Sequence, residues 1–389
     1  MKLKTFFKIA PVMVLIAAFI FSCALGSNAR VISAAGIENT TPHRSHVLID
    51  TNTGKILAEH NAHERHPIAS VTKLMTILLT LEEIDNNNLS LTDNIIVSEN
   101  ASGMGGSQIF LDANKEYTVE NLLKSVILAS ANDSSVALAE HISGSEANFV
   151  ARMNDRANEL GLSNTNYSNC TGLPSNDGYS SAYDQAIVLK NVISYDIYHN
   201  YSLIWMEDFV HPSGRITQMT NTNKLSRFYE GCTGGKTGST NQAKYCLAVS
   251  AKRNNTSNIA VVLGAENSKD RFKLASDLLN YGFNNFETIT IFGNNDLKDK
   301  HILIKGSDKT VNIKAEKEFS LVVEKGTKPN YSLKFNLPNQ LTHAVENQPI
   351  GNVEIVVDGV VVDTINVLSC DTFAQATIWD YFKKLISMS

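Results

Sequence analysis

Cysteine is scarce, with five residues in a chain of 389. Cys23 lies in the N-terminal leader. Cys170, Cys232, Cys246 and Cys370 stand far apart, with no pair at metal-ligand spacing. That argues against a cysteine-held metal, and a chain of this size needs no disulfide to stabilise its core. Positive charge is also short: 34 Lys and Arg face 39 Asp and Glu, a formal −5 with no basic patch, so nucleic acid is not an expected partner. A phosphate cradle is missing, because the glycine-rich stretch at 102–107 lacks a strand-to-helix context. His60, His63 and His66 read as a polar loop, since structural zinc wants a closed set of four ligands. What remains is ordinary globular composition, 43% hydrophobic and 19% charged, long enough for two domains.

Lys2, Lys4 and Lys8 precede an apolar run over 9–21, with small residues beyond, which is the layout of a secretory signal peptide. Ser33-Ala34-Ala35 offers a cleavage site, and Ser27-Asn28-Ala29 an earlier one. In Ile20-Phe21-Ser22-Cys23 the bulky Phe21 argues against a lipoprotein site. The run reaches Gly26, as an uncleaved anchor would, but Pro11 and Ser22 interrupt it, and export is the safer reading. Removing residues 1–35 takes four basic residues and no acids, leaving about −9.

Residues 47–50 and 55–58 flank Asn52-Thr53-Gly54 as a β-hairpin. Val71, Leu74, Met75 and Leu78 then recur at helical steps, an apolar stripe behind a helix that starts after Pro67. Leu122, Leu123, Val126, Ile127 and Leu128 mark a second helix, and Asp133 reads as the N-cap of a third. Residues 145–160 form another, closed by Gly161 at C′. Strands are predicted over 236–240, 244–251 and 258–264, and a last helix over 268–281. Strands at both ends with helices between imply an α+β fold, an antiparallel sheet covered by helices. From residue 287 the pattern changes to short β-branched runs at 288–291, 301–304, 311–313, 321–323, 331–335 and 353–357. These give a separate small all-β domain. The expected division is a signal peptide at 1–35, a catalytic domain at 36–286, a β domain at 287–368 and an amphipathic tail at 369–389.

Ser70 and Lys73 are three residues apart, so both lie on one helical face, a hydroxyl one turn from an amine. Alone this spacing is a common accident. Ser130-Ala131-Asn132 and Lys236-Thr237-Gly238 follow it in order, and the ordered triple is specific where each element is weak.

With these motifs the chain resembles the low-molecular-mass penicillin-binding proteins of the serine D-alanyl-D-alanine carboxypeptidase family. The likeness covers nearly everything beyond the signal peptide, including Tyr179-Ser180-Ser181-Ala182-Tyr183-Asp184 and the β domain with its tail. Cys170, where the family often has proline, departs from the pattern. The resemblance implies a penicillin-binding/β-lactamase-like fold and a peptidoglycan stem peptide ending in D-Ala-D-Ala as substrate. It also implies loss of the last residue, inhibition by β-lactam antibiotics, and no metal or organic cofactor. Ser70 would attack the carbonyl between the two alanines and form an acyl-enzyme. Lys73 would take the proton once burial and the neighbouring Lys236 had lowered its pKa from an ordinary value near 10.4. Ser130 would pass a proton to the departing amine, and Asn132 would bond the substrate backbone. Lys236 and Thr237 would hold the terminal carboxylate. Gly238 would allow close backbone approach, and the N–H groups of Ser70 and Ser239 would form the oxyanion hole.

A serine β-lactamase shares the three motifs, but class A enzymes deacylate through a loop glutamate. Residues 161–186 contain none; the acids there are Asp177 and Asp184. A non-catalytic penicillin-binding sensor would be expected to carry a signalling domain or further membrane spans, and none is visible. In the tail, Ala374, Ile378, Tyr381, Phe382 and Leu385 share one helical face opposite Asp380, Lys383 and Lys384. It is too short and charged to span a bilayer, but Trp379, Tyr381 and the lysines suit a headgroup boundary. The expected location is the outer face of the cytoplasmic membrane, or secretion.

Overall fold

The computed structural model describes residues 41–305 and 309–374, together with Ile378, Trp379 and Ile386. The expected signal peptide and most of the expected tail lie outside the described residues.

The hairpin forms as expected from β1 (Ser45–Asp50) and β2 (Ile56–His60). The Asp50 carboxylate closes its turn, accepting from Thr53 N and Oγ1, each at 2.8 Å. A 3₁₀ turn over Ala69–Thr72 leads into α1 (Lys73–Asp85). The apolar residues of α1 are more than a stripe: every residue from Lys73 to Leu81 is buried, so the helix threads the core. Next come β3 (Asn94–Ile96), α2 (Glu99–Ser102) and β4 (Glu116–Thr118). Thr118 caps α3 (Val119–Leu128), its side chain accepting from Asn121 N. Beyond it run α4 (Asn132–Ser143) and α5 (Glu146–Glu159), the latter ended by Gly161 at φ 71° as expected.

Asp133 is not the cap of α4. The helix begins one residue earlier, and Asn132 N is satisfied by Ser107 O at 2.7 Å. The Asp133 carboxylate is thereby free to accept from Ile109 N and Leu111 N, and it ties down a neighbouring loop. Then follow α6 (Ala182–Val192), α7 (Asp196–Ser202), and a hairpin not foreseen from the sequence, β5 (Met206–Val210) with β6 (Ile216–Thr220). After α8 (Leu225–Phe228) come β7 (Cys232–Thr240), β8 (Lys244–Arg253), β9 (Thr256–Ala265) and α9 (Ser268–Asn285).

The main sheet has the order β2-β1-β9-β8-β7, antiparallel throughout. Alternation sends Leu48, Leu247, Val249, Ala260 and Val262 to one face, under Leu274, Leu278 and Leu279 of α9. Val47, Ile49, Ala248, Ile259 and Val261 face the other way, into the core built on α1, α3, α4 and α6. The sheet is therefore covered by helices on both faces, and β7 is one of its edges.

The remaining strands form the all-β domain: β10 (Phe286–Phe292), β11 (Ile302–Ile304), β12 (Thr310–Val311), β13 (Ile313–Ala315), β14 (Phe319–Glu324), β15 (Tyr331–Asn336), β16 (Gln340–Leu341), β17 (Pro349–Val357) and β18 (Val360–Ser369). β13, β18, β17 and β15 make a four-stranded sheet over a core of Ile291, Phe292, Val353, Ile355, Ile365 and Val367. At the junction, Thr288 Oγ1 donates to Asp50 Oδ2 at 2.9 Å.

Candidate active site

Ser70 sits in the 3₁₀ turn at the mouth of α1, half-exposed, behind Ala69 at φ 49°. A non-glycine residue in the left-handed region is costly and signals a constrained position. Part of the constraint is visible across the turn. Gly172, at φ 78°, lies so close that a Cβ there would stand 2.0 Å from Ala69 O. Gly238 of β7 approaches from the other direction, its notional Cβ 2.7 Å from Ile68 O and 2.9 Å from Ser70 N. The close approach of Gly238 is thus toward the Ser70 turn.

Lys73, with no exposed surface, donates from Nζ to Ser70 Oγ at 3.1 Å, Asn132 Oδ1 at 2.6 Å and Thr171 O at 2.6 Å. Burial lowers its pKa to about 7, against the opposing influence of Cys170 and Asp133. The Cys170 thiol is itself pushed well above its ordinary value by burial and Glu146, so it is neutral where Lys73 titrates. Asp133, its own pKa raised by burial, is the acid that remains to oppose the shift. The expected lowering of the Lys73 pKa by Lys236 does not register at Lys73, where burial alone acts in that direction; the repulsion registers at Lys236, held well below its ordinary value first by burial and then by Lys73 and Arg271.

Ser130 lies between α3 and α4 with φ 62°. Its Oγ accepts from Lys236 Nζ at 2.7 Å, and Lys236 also donates to Thr237 O at 3.1 Å. Asn132 is fixed at both ends of its amide: Oδ1 accepts from Lys73, and Nδ2 donates to Gly105 O at 2.6 Å. Thr237 and Gly238 are buried on β7, and Ser239 is exposed at its end.

Ser70, Lys73, Ser130, Asn132 and Lys236 are thus joined in two hydrogen-bonded groups, with Gly238 packed on the turn of the first. Three participants were not foreseen. Thr171 contributes only its carbonyl, which no side-chain motif reveals. The loop that presents it is shaped by Asn169 Oδ1, which accepts from Thr171 N and Gly172 N. Arg271 of α9, buried, donates from Nη1 to Gly238 O at 3.0 Å and Cys246 O at 3.2 Å. Burial lowers its pKa to about 10, which leaves it cationic near neutral pH. Cys170, at the position of the family's frequent proline, uses its N–H to bond Glu146 Oε1 at 3.1 Å, a bond proline could not make. Its carbonyl accepts from Thr76 Oγ1 at 2.7 Å.

Residues 33–267 match the family model described as D-alanyl-D-alanine carboxypeptidase. Residues 286–374 match that of the penicillin-binding protein 5 C-terminal domain. The chain is 37% identical over 343 residues to D-alanyl-D-alanine carboxypeptidase DacF of Bacillus subtilis, covering 88% of each. It is 33% identical over 349 residues to DacA of Haemophilus influenzae, 87% of this chain and 88% of the relative. The crystal structure of penicillin binding protein 5 from H. influenzae superposes with a TM-score of 0.69 at 32% identity, covering 87% of this chain and 99% of that one. With an antiparallel sheet covered by helices, a trailing all-β domain and the serine–lysine pair in place, the chain belongs to the D-alanyl-D-alanine carboxypeptidase family of low-molecular-mass penicillin-binding serine peptidases.

Proposed function

We propose that Ser70 is the acylated nucleophile by which this D-alanyl-D-alanine carboxypeptidase removes the terminal D-alanine of peptidoglycan stem peptides. One observation carries the assignment: Lys73 Nζ has three oxygen partners, and only Ser70 Oγ can reverse the direction of its bond. An ammonium donates three hydrogens, whereas a neutral amine donates two and presents a lone pair. With Thr171 O and Asn132 Oδ1 accepting two hydrogens, the lone pair of neutral Lys73 falls toward the Ser70 hydroxyl. A pKa of about 7 keeps that form populated at neutral pH.

In acylation, Ser70 Oγ bonds to the carbonyl carbon of the penultimate D-alanine, and its proton passes to Lys73. The C–N bond then breaks, and the departing amine takes a proton from Ser130, which recovers one from protonated Lys73, so the proton taken from Ser70 ends on the released D-alanine. Ser130 Oγ accepts from Lys236, which leaves its own hydrogen free to be donated. Burial holds the Lys236 pKa well below its ordinary value, and a substrate carboxylate placed beside it would favour the protonated form, whose third hydrogen, beyond those on Ser130 and Thr237 O, would meet that carboxylate together with Thr237. As an edge strand, β7 has backbone groups for an extended peptide, with Ser239 N and Ser70 N assigned to the oxyanion. Water then releases the shortened peptide. A β-lactam enters the same geometry, its ring amide in place of the scissile bond.

The β-lactamase alternative gains nothing here: Glu146, which touches the 169–173 loop, is engaged with Cys170 N. The test is labelling by a fluorescent penicillin. The wild-type chain is expected to take one label that persists well beyond the lifetime of a β-lactamase intermediate, and Ser70→Ala none. Undiminished labelling of the variant would remove Ser70 as nucleophile.

We also assign export to the leader at 1–35 and membrane attachment to the tail at 369–389, with the β domain (287–368) as a stalk for the catalytic domain (36–286). The tail reading is supported by exposed Ile378, Trp379 and Ile386. Among the described residues no helix is long and apolar enough to cross a membrane.

A further inference from the structure

A cluster of titratable side chains outside this machinery joins the β5–β6 hairpin to the 105–112 loop. That loop touches the site directly, through Gly105 O on Asn132 Nδ2 and Ser107 O on Asn132 N. Asp133 fixes its inner side. Its outer side carries a local strain: Phe110 has φ 63°, which a bulky residue avoids, and its side chain is largely exposed. Arg215 of the hairpin loop holds this point. Its Nη2 donates to Phe110 O at 2.5 Å and Asp112 Oδ1 at 3.1 Å, and its Nη1 to Thr217 Oγ1 at 3.3 Å. Asp112 is held again by Tyr117, whose hydroxyl donates to Oδ2 at 3.2 Å and accepts from Asp112 N at 3.0 Å. His211 is buried beneath. Its Nδ1 lies 3.1 Å from both Tyr117 Oη and Arg215 Nη2, and its Nε2 lies 2.9 Å from Thr217 Oγ1, which bonds Ile109 O.

We propose that Arg215 and His211 are positioning residues for acylation: the hairpin latches the 105–112 loop and so holds Asn132, and through it Lys73, in working geometry, provided His211 is neutral. The proviso follows from the partners. Thr217 Oγ1 gives its one hydrogen to Ile109 O, so His211 Nε2 must carry the hydrogen between them, and in the neutral ring Nδ1 is then a bare acceptor facing the Arg215 guanidinium. A proton on Nδ1 would face the Arg215 cation, with Asp112 Oδ2 at 3.9 Å as the nearest counter-charge. The charged and titratable groups facing the ring are Arg215 from its own hairpin, Asp112 from the loop and Tyr117 from β4. Burial, then Arg215, holds the His211 pKa below its ordinary value, with Asp112 opposing. The latch is therefore closed at neutral pH and opens in acid.

The inference rests on the Ser70–Lys73 assignment, which the Ser70→Ala labelling tests separately. For the latch, acylation rate, label stoichiometry and thermal midpoint are measured on the full chain. Arg215→Ala is expected to slow acylation about tenfold or more while keeping full stoichiometry and a midpoint within a few degrees, with Arg215→Lys recovering part of the rate. On the acid side, the wild-type log rate should fall more steeply than one unit per pH, because two protons disable the site. His211→Gln should return the slope to one. Should Arg215→Ala fail to fold, Arg215→Lys and His211→Gln carry the test. Wild-type acylation rates in the Arg215 variants, or an unchanged acid slope in His211→Gln, would overturn the latch.

Discussion

Gly172→Ala should damage this enzyme by a route that can be worked from two contacts. At φ 78° an alanine pays for the left-handed conformation, about 1 kcal/mol. Its Cβ would also stand 2.0 Å from Ala69 O and 2.9 Å from Ser70 N, where ordinary contact begins near 3.4 Å. Relief needs about 1.4 Å of movement between two backbone segments, one of which carries Ser70. Overpacking of that kind costs roughly 1–3 kcal/mol, which brings the total to about 2–4 kcal/mol. A misplacement near 1 Å at Ser70 should slow acylation about 100-fold. Gly161→Ala is the control: φ is 71°, but nothing lies within 4 Å of its notional Cβ, so it should lose only about 1 kcal/mol and acylate normally. Urea unfolding and penicillin acylation rates, measured on both variants, separate the conformational from the contact cost. Equal stability losses with wild-type acylation in both would show that the 169–173 loop is not seated on the Ser70 turn. The Thr171 contact to Lys73 would fall with it.

Two further outcomes follow from the same residues. With Lys73 at a pKa of about 7, acylation should rise through neutral pH and level off above it, because the reactive form is the neutral amine. Between that value and the ordinary lysine range the unfolded chain holds a proton that the folded chain has released, so stability also rises with pH there. A rate that keeps climbing toward pH 10 would show that Lys73 is not the base. For the tail, a chain lacking residues 372–389 should leave the membrane fraction; if it stays as firmly bound as the full protein, an uncleaved leader is the better anchor.

Much of the site was legible because this chemistry lies in side chains at short, ordered spacings. Ser70 and Lys73 sit one turn apart, and Ser130 with Asn132 lies in the break between two apolar helices. Lys236 falls where β-alternation begins. The sheet was legible for a similar reason: its strands 244–253 and 256–265 are long apolar runs split by an Asn-Asn turn. Contributions made by backbone or across long separations were hidden. The carbonyl of Thr171 looks like any other in sequence, and the reach of Arg271 to Gly238 O exists only once α9 lies on the sheet. Asp133 misled because an acid before a helical run is a good cap signal. The site left that role unfilled because Ser107 O already satisfied the first helical N–H. The β5–β6 hairpin was missed because Met206–Val210 and Ile216–Thr220 expose alternate residues on a surface, with no apolar face strong enough to announce a strand.

The most direct test of the central claim is release of D-alanine by the purified protein from a peptide ending in D-Ala-D-Ala. Repeated turnover is expected on the free carboxylate, with loss of release when that carboxylate is amidated and none from Ser70→Ala. No D-alanine from the wild-type chain, together with rapid turnover of penicillin, would contradict it.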